Sequence, residues 1–484
     1  MLTATPYASD RWRGLMPLWL ALGAIGCVAA GAGLVAFASQ FGTLAPAVAV
    51  AVPLLPLAIV AIFADPRLAL LILFLSFPVG FQSVRVWEFN LQTADFALLC
   101  VAALVFIRRF GSGEPLVRSA WPIAWLLAIA FWALALVPTA AEEGPAIKQA
   151  GSFVSGLVVA TIVLTVCSTI ADVRRVLGAL VGVGAAMTVP VVFQSQELRS
   201  SFEGALVGGR PEGVFLQPNE LGVFCAVVGF CAIALALGAQ ARWARVASGV
   251  TAAVLFGGLM LSLSRAAWLG TAAGVVLLVV ALPRLRRGVA LFGAVVLCAG
   301  FLLGDFAERN PEVSVVTQRV TAFTKLNQPY DDRGAIVSEA LNQIEDDPLT
   351  GVGPGNFPVA SERHVQQERL TVRAVHAHNV YLNAAAELGV PGLLLFLGLT
   401  GGIFFAGVHA VRGLSATKER RDRAFVAGLA AALLALFVAE LFHVFIGNAI
   451  LDATVWTLVG ALLVCWRDVK ARAGAAGDAQ ATSW

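Results

Sequence analysis

Charged residues are scarce in this chain of 484 residues. Asp, Glu, Lys and Arg make up 13% of it, against about 25% in a soluble globular domain. Hydrophobic residues make up 59%, and the mean hydropathy is +0.83. This composition excludes an ordinary soluble domain and indicates an integral membrane protein. The net charge of +3 is no sign of a nucleic-acid partner, because membrane topology accounts for where the basic residues lie.

Several motifs of soluble enzymes are also missing. All seven cysteines fall inside apolar runs, which excludes a disulfide framework and a Cys-x-x-Cys metal site. A glycine-rich turn at residues 351–357 could suggest a nucleotide-phosphate loop. It lacks the Gly-Lys-Ser/Thr ending of a P-loop, and no strand pattern precedes it, so this interpretation is rejected.

Apolar runs of spanning or near-spanning length dominate the chain, and a span needs about 20 apolar residues. The run at 15–38 is too long for the apolar core of a signal peptide and is interpreted as the first span. The short runs at 68–81 and 92–107 could fail to span, so we predict an all-α polytopic membrane protein with about 12–14 transmembrane helices. The runs are 15–38, 44–63, 68–81, 92–107, 121–137, 153–170, 176–193, 221–238, 246–263, 266–282, 289–304, 390–410, 424–446 and 450–466.

The basic residues predict the orientation. With the N-terminus in the cytoplasm, every cytoplasmic loop carries at least one Arg or Lys, whereas the short outer loops hold only Arg85, Lys148, Arg199, Arg210 and Arg265. Because short cytoplasmic loops are enriched in positive charge, both termini are predicted to be cytoplasmic. The organisation is then a transmembrane bundle over 1–304, with about 11 spans by length, followed by a periplasmic loop domain over 305–389. Transmembrane helices over 390–466 and a cytoplasmic tail over 467–484 complete it.

The large loop ends in a segment with readable local structure. Helical spacing of apolar residues over 336–344 predicts a helix that ends before Pro348. Farther on, Asn379 is a candidate N-cap, and Gly389 and Pro391 are stop signals for a helix over 380–388. His378 would precede that helix, whose positive end keeps an imidazole neutral, as a general base requires. Alternatively, His376 and His378 are solvated loop residues.

Two outer arginines lie where a cation is costly. Arg210 precedes the span at 221, and Arg265 lies in a hinge of two or three residues between two spans. A charge at a membrane boundary needs a partner, and two guanidinium groups could hold a diphosphate. The alternative is that both side chains extend to the lipid headgroups.

These segments resemble the four motifs of the O-antigen ligase and polymerase superfamily. The motifs occur in the family's order over about residues 205–400, while the first 200 residues match only in being apolar spans. The matching positions are Arg210, Gly213, Pro218 and Asn219; Ser264 and Arg265; Arg333 with 348–357; and His378-Asn379 with Gly389 and Gly392.

The resemblance implies a GT-C-like fold and a multi-pass glycosyltransferase of the bacterial inner membrane with its active site facing the periplasm. Arg210 and Arg265 would bind the diphosphate of an undecaprenyl-diphosphate-linked glycan. His378 would deprotonate or orient the acceptor hydroxyl, and the anomeric carbon would be inverted. The expected substrate-binding residues are Arg333, Asn219, Asn379, Ser264, His376, Gly353 and Gly355.

No metal or other cofactor is expected, since the family's members look metal-independent. The acidic pairs Asp331-Asp332 and Asp346-Asp347 could instead hold a divalent ion, but neither has the Asp-x-Asp spacing common in metal-dependent glycosyltransferases. Besides membrane lipids, the expected partners are the lipid-linked donor and an acceptor. The acceptor is lipid A-core in a ligase and a second lipid-linked glycan in a polymerase.

A flippase or transporter is the alternative from another class, although it would carry its ionisable groups near the bilayer midplane. Glu440 and His443 are three residues apart near the outer end of a predicted span, and are expected to share a helix face. They could line the acceptor cavity, tie helices together or relay protons.

Overall fold

The computed structural model describes residues 59–79, 83–86, 89–115, 121–200, 211–215, 217–290, 333–366, 374–415, 417, 419–445 and 447–481. The regular secondary structure in these residues is helical apart from one antiparallel hairpin, Ser83–Val86 with Phe89–Gln92. The predicted all-α class is therefore confirmed. The chain forms two compact units. One is Met1–Leu73 with Ala97–Leu116, and the other is Phe74–Phe96 with Val117–Trp484.

Thirteen of the α-helices are labelled α1 to α13 in chain order. They are α1 Leu68–Leu75, α2 Thr93–Ser112, α3 Ile123–Leu136, α4 Glu143–Val166, α5 Ile170–Ser200, α6 Pro218–Gly238, α7 Arg242–Ser262, α8 Arg265–Ala281, α9 Arg333–Asp346, α10 Phe357–Gln366, α11 Val380–Gly413, α12 Arg420–Ala439 and α13 Ala449–Ala481.

Six of these helices are long and apolar enough to cross a membrane: α4, α6, α7, α11, α12 and residues Ala449–Ala475 of α13. A seventh is α8, if it is counted with the helical segment Pro283–Ala290, to which it is bent by 115°. The predicted span at 15–38 and most of those at 44–63 and 289–304 lie outside the described residues. A total of 12–14 spans therefore stays a prediction.

One expectation about a helix is wrong. Helix α12 ends at Ala439, so Glu440 and His443 do not share a helix face. The described residues that follow it, 440–445, 447 and 448, form turns and irregular backbone. The Glu440 carbonyl accepts from the Val380 N–H at 2.9 Å, and Gly447 takes a φ of 104°.

Small residues let the helices approach one another closely. A Cβ added at Gly270 of α8 would meet the Ala435 carbonyl of α12, and one at Gly428 of α12 would meet Ala234 of α6. Helices in a membrane gain little from the hydrophobic effect when they associate, because lipid is also apolar. Close backbone contact at small residues stabilises their packing through van der Waals attraction instead. Helix α12 is thus fixed between α6 and α8.

Arginine–carboxylate pairs join the helix ends at one side of the larger unit, here called the basic face (residues 164–174, 412–423 and 467–472). Arg174 reaches Asp422 at 2.7 Å. Arg472 bonds Glu419, Asp422 and Asp468 at 3.2, 2.9 and 2.8 Å. All three segments fall in or next to loops predicted to be cytoplasmic. The opposite helix ends carry the candidate active site.

Candidate active site

Helix α11 begins as the sequence predicts. The Asn379 side-chain oxygen accepts from the N–H groups of Tyr381 and Leu382 at 2.9 and 3.1 Å. Gly389, with φ 69° and ψ 179°, breaks the helix before Pro391. The Leu388 carbonyl lies at this break and accepts from the Trp132 indole N–H at 2.9 Å. A buried, capped first segment of α11 therefore fixes the loop that carries the histidines.

Backbone strain marks two of the predicted motifs. Among the described residues, Leu263 and His378 are the only non-glycine residues with positive φ, at 50° and 52°. Leu263 directly precedes the Ser264-Arg265 pair, and His378 is the predicted catalytic histidine. An L-residue in this region costs of order 1–3 kcal/mol, and such residues concentrate at functional sites. Each motif is thus held in a conformation that the surrounding packing must stabilise.

His443 completes a group of three imidazoles, here called the histidine cluster (His376, His378 and His443). Its ring centroid lies 4.7 Å from that of His376 and 5.6 Å from that of His378. The rings of His376 and His378 are 4.2 Å apart. His443 is buried, and the other two are partly buried. The sequence signal for His443 was an ionisable residue beside an apolar span, but its partners come from a distant loop.

Hydrogen bonding fixes the tautomer of His376. The backbone N–H of His378 donates to His376 Nδ1 at 3.2 Å. In the neutral ring the proton therefore resides on Nε2, which is left as a donor. Burial, and next the neighbouring His378, lower the pKa of His376 to about 4. His376 is consequently a neutral ring near pH 7 and a weak proton acceptor.

The described residues after α12, 440–445 with 447 and 448, are hydrogen-bonded to three other helices. The Glu440 carbonyl bonds Val380 at the start of α11, and the Asn448 side-chain oxygen caps α13 at the N–H groups of Ile450 and Leu451. The Asn448 amide donates to Glu220 near the start of α6 at 3.0 Å. His443 is therefore positioned from both ends of its segment.

Ser264 and Arg265 lie on the same side of the bundle as the cluster. Where α8 packs against α12, a Cβ added at Gly274 would contact the Ala431 carbonyl, and one added at Gly270 would contact the Ala435 carbonyl. This antiparallel register carries the first residue of α8, Arg265, to the level of the residues after Ala439. Buried Ser264 caps α8, and its Oγ accepts from the Ala267 N–H at 3.4 Å. A guanidinium at a helix N-terminus opposes the helix dipole, but the same place attracts an anion.

The first and second motifs also meet. Gly222 lies one turn into α6, just after Asn219, and a Cβ there would collide with the side chains of Ser262 and Ser264. The start of α6 therefore packs on the strained hinge between α7 and α8. Arg210 lies outside the described residues, and of Arg333 only the backbone is described, as the first residue of α9.

The glycine-rich turn contacts other parts of the chain closely. Gly353 lies against Ala140, and Gly355 against the Pro145 carbonyl. The Asn356 side chain accepts from the Glu142 N–H at 2.8 Å and donates to the Glu142 carbonyl at 3.0 Å. These contacts supply a packing reason for both glycines. Their assignment to substrate binding stays a prediction.

A group of buried polar side chains joins the two helices on either side of this turn. Glu339 of α9 lies 2.9 Å from His364 Nδ1 of α10, and it accepts from the Gln343 side chain at 2.6 Å. Glu339 and Gln343 are fully buried. The predicted helix over 336–344 is confirmed as part of α9, and α10 folds back on it.

The histidine cluster could also hold a metal ion. One nitrogen from each ring lies within 4.8 Å of the others. Around a tetrahedral Zn²⁺, with Zn–N bonds of about 2.0–2.1 Å, the nitrogens would be roughly 3.4 Å apart. The rings would have to close slightly to bind it. The donor set fits an open three-histidine site, so a metal would compete for the same imidazoles that could act on a substrate.

Residues 250–397 match the family model described as O-antigen ligase. This stretch includes Ser264, Arg265, Arg333, the glycine-rich turn and His376 to Asn379, whereas Asn219 and His443 lie outside it. No curated protein matches the chain. The match confirms the predicted superfamily of O-antigen ligases and polymerases. The family implies a membrane glycosyltransferase that acts on lipid-linked glycans.

Proposed function

We propose that this chain, as a member of the O-antigen ligase and polymerase superfamily, is an inverting glycosyltransferase with an undecaprenyl-diphosphate-linked donor. It transfers the glycan to a hydroxyl of lipid A-core at the periplasmic face of the bacterial inner membrane. The observation that supports this most is the convergence of Ser264-Arg265 and the histidine cluster at the same helix ends. Arg265 would then bind the leaving group on the same side of the bundle as the base that activates the acceptor.

The donor would be held through its diphosphate. Arg265 combines a guanidinium with the positive end of the α8 helix dipole, and both attract an anion. Negative charge grows on the diphosphate as the glycosidic bond breaks, and a fixed cation stabilises that charge. Arg210 is proposed as the second cation, since it precedes α6, whose start packs on the hinge before Arg265.

The acceptor would be activated by His378. Its backbone is fixed by the strained φ and by the hydrogen bond to His376 Nδ1. His376, with its pKa lowered to about 4, is too weak a base to be the main proton acceptor near pH 7. It would act as a hydrogen-bond donor through Nε2. One in-line displacement then exchanges the bond to diphosphate for a bond to the acceptor oxygen, with inversion and with the proton passing to His378.

The test is transfer by purified protein in detergent, with a labelled undecaprenyl-diphosphate-linked glycan, lipid A-core and EDTA. Label on lipid A-core is the expected result. A ladder of lengthened polyprenyl-linked chains with nothing on lipid A would instead identify a polymerase with the same site. No transfer to either acceptor, by protein whose thermal unfolding is cooperative, would contradict the proposal. Movement of the intact lipid across proteoliposome membranes would identify a flippase.

A further inference from the structure

The opposite side of the molecule carries an apolar groove with arginines at one end. The groove has a volume of about 310 Å³ and lies between α8, α11 and α12, with Leu462 of α13 at its floor. Along α12 it extends from Arg423 to Phe437, which is about 21 Å at 1.5 Å per residue. That length exceeds the thickness of about 15 Å of one leaflet, half of the hydrocarbon core of about 30 Å, so an acyl chain of that leaflet can lie along the groove.

The wall of the groove is apolar over most of its length. It is lined by Leu277 and Val280 of α8, Phe404 and Val408 of α11, and Ala430 and Leu433 of α12. Val280 and Val408 are exposed, at 67% and 44%. In a bilayer, such a surface between spanning helices is covered by a hydrocarbon chain.

The unpaired charged side chains described at the arginine end of the groove are all positive. The carboxylates of this face, Glu419, Asp422 and Asp468, bond Arg472 and Arg174. Among the residues that the structure describes, no carboxylate pairs with Arg412 or Arg423, which line the groove. Arg420 and Arg423 also repel Arg284, which follows α8. The mouth of the groove is therefore a cluster of cations for which the described part of the chain supplies no paired carboxylate.

We propose that this groove binds an anionic phospholipid of the leaflet at the basic face. The phosphate bonds Arg412 and Arg423, and one acyl chain lies along α12. Guanidinium groups match phosphate oxygens bidentately, and basic pockets between spanning helices suit acidic headgroups. The polyprenyl chain of a donor bound at the opposite face would fill the apolar part of the groove, but it has no anionic group there to bind the arginines.

The test uses full-length protein delipidated in a non-ionic detergent, with Tm followed by scanning fluorimetry during titration with phosphatidylglycerol. We expect phosphatidylglycerol to raise the Tm, and phosphatidylcholine with the same acyl chains to raise it far less. Arg412→Gln/Arg423→Gln is expected to weaken the response to phosphatidylglycerol roughly 30-fold in half-maximal concentration, from the usual gain per basic residue near anionic lipid. Glycerol phosphate, which has no acyl chains, should leave the Tm unchanged.

The matched control is Arg286→Gln/Arg287→Gln, which removes two exposed arginines that do not line the groove. It should keep the wild-type response. A second variant, Ala430→Leu, fills the groove without a change of charge and should weaken the response as well. Equal responses to the two phospholipids, equal losses in the two double variants, or a larger effect of undecaprenyl phosphate than of phosphatidylglycerol would overturn the proposal. None of these readouts depends on glycosyl transfer.

Discussion

The imidazole of His443 lies edge-on to that of His376, with 4.7 Å between the ring centroids and 87° between the ring planes. One ring belongs to the loop before α11 and the other to the segment after α12. The hydrogen bond from Val380 to the Glu440 carbonyl joins these two pieces of chain. The candidate active site is therefore shared between the loop before α11 and the segment after α12, and its geometry depends on the contact between them.

Replacing His378 by Ala is expected to abolish transfer, because a positioned base typically contributes 10²–10⁴-fold. His376→Ala should keep substantial activity, since its ring serves as a donor rather than as the base. Initial rates at saturating donor and acceptor measure both effects. Equal losses in the two variants, with Tm values near that of the wild type, would contradict the assignment of His378.

Replacing Arg265 by Lys should lower kcat nearly as much as replacing it by Ala. Lysine keeps the charge but loses the planar fork that binds two phosphate oxygens at once. Single-turnover rates with the lipid-linked donor would measure the effect on the chemical step. Full activity of the Lys variant would mean that only a positive charge is needed at this position. That result would favour the alternative in which Arg265 extends to the lipid headgroups.

Stability should fall as the pH drops from about 6.5 toward 4. The pKa of His376 is lowered to about 4 in the folded protein, so over this range the unfolded chain binds more protons than the folded one, and acid favours unfolding. His376→Gln should make the Tm less dependent on pH in this range, as scanning calorimetry would show. The same slope in His376→Gln as in the wild-type protein would contradict this prediction.

Chelation and added zinc should have different effects on glycosyl transfer. EDTA is expected to leave transfer unchanged, whereas micromolar Zn²⁺ should inhibit by binding the three imidazoles and occupying His378. His443→Ala removes one of three ligands and should weaken that inhibition more than tenfold, in line with the importance of ligand number. Loss of activity in EDTA that Zn²⁺ restores would reverse this interpretation and make the cluster a catalytic metal site.

Gly270→Ala should destabilise the protein by about 1–3 kcal/mol, the usual cost of overpacking. The added methyl would meet the backbone carbonyl of Ala435, which cannot move without shifting α12 and, with it, His443. The Tm measured in detergent and the transfer rate should both be lower than in the wild-type protein.

The control for that change is Gly257→Ala in α7, where nothing lies within 4 Å of the added methyl. It should be neutral or stabilise by up to about 1 kcal/mol, because alanine is the better helix former. Equal losses at the two glycines would show that close contact with α12 is not what Gly270 provides.

Local signals in the sequence determined much of this protein. The apolar runs predicted the helices, Asn379 and Gly389 predicted where the first segment of α11 begins and ends, and the motif order predicted the superfamily. Each of these depends on residues a few positions apart, since caps, breaks and helical periods are local. The tertiary structure alone decided the rest. It ended α12 at Ala439, placed His443 beside His376 and His378, and packed the glycine-rich turn on Ala140 and Pro145. These contacts join residues far apart along the chain, and packing between helices selects them, so no local pattern in the sequence indicates which segments will meet.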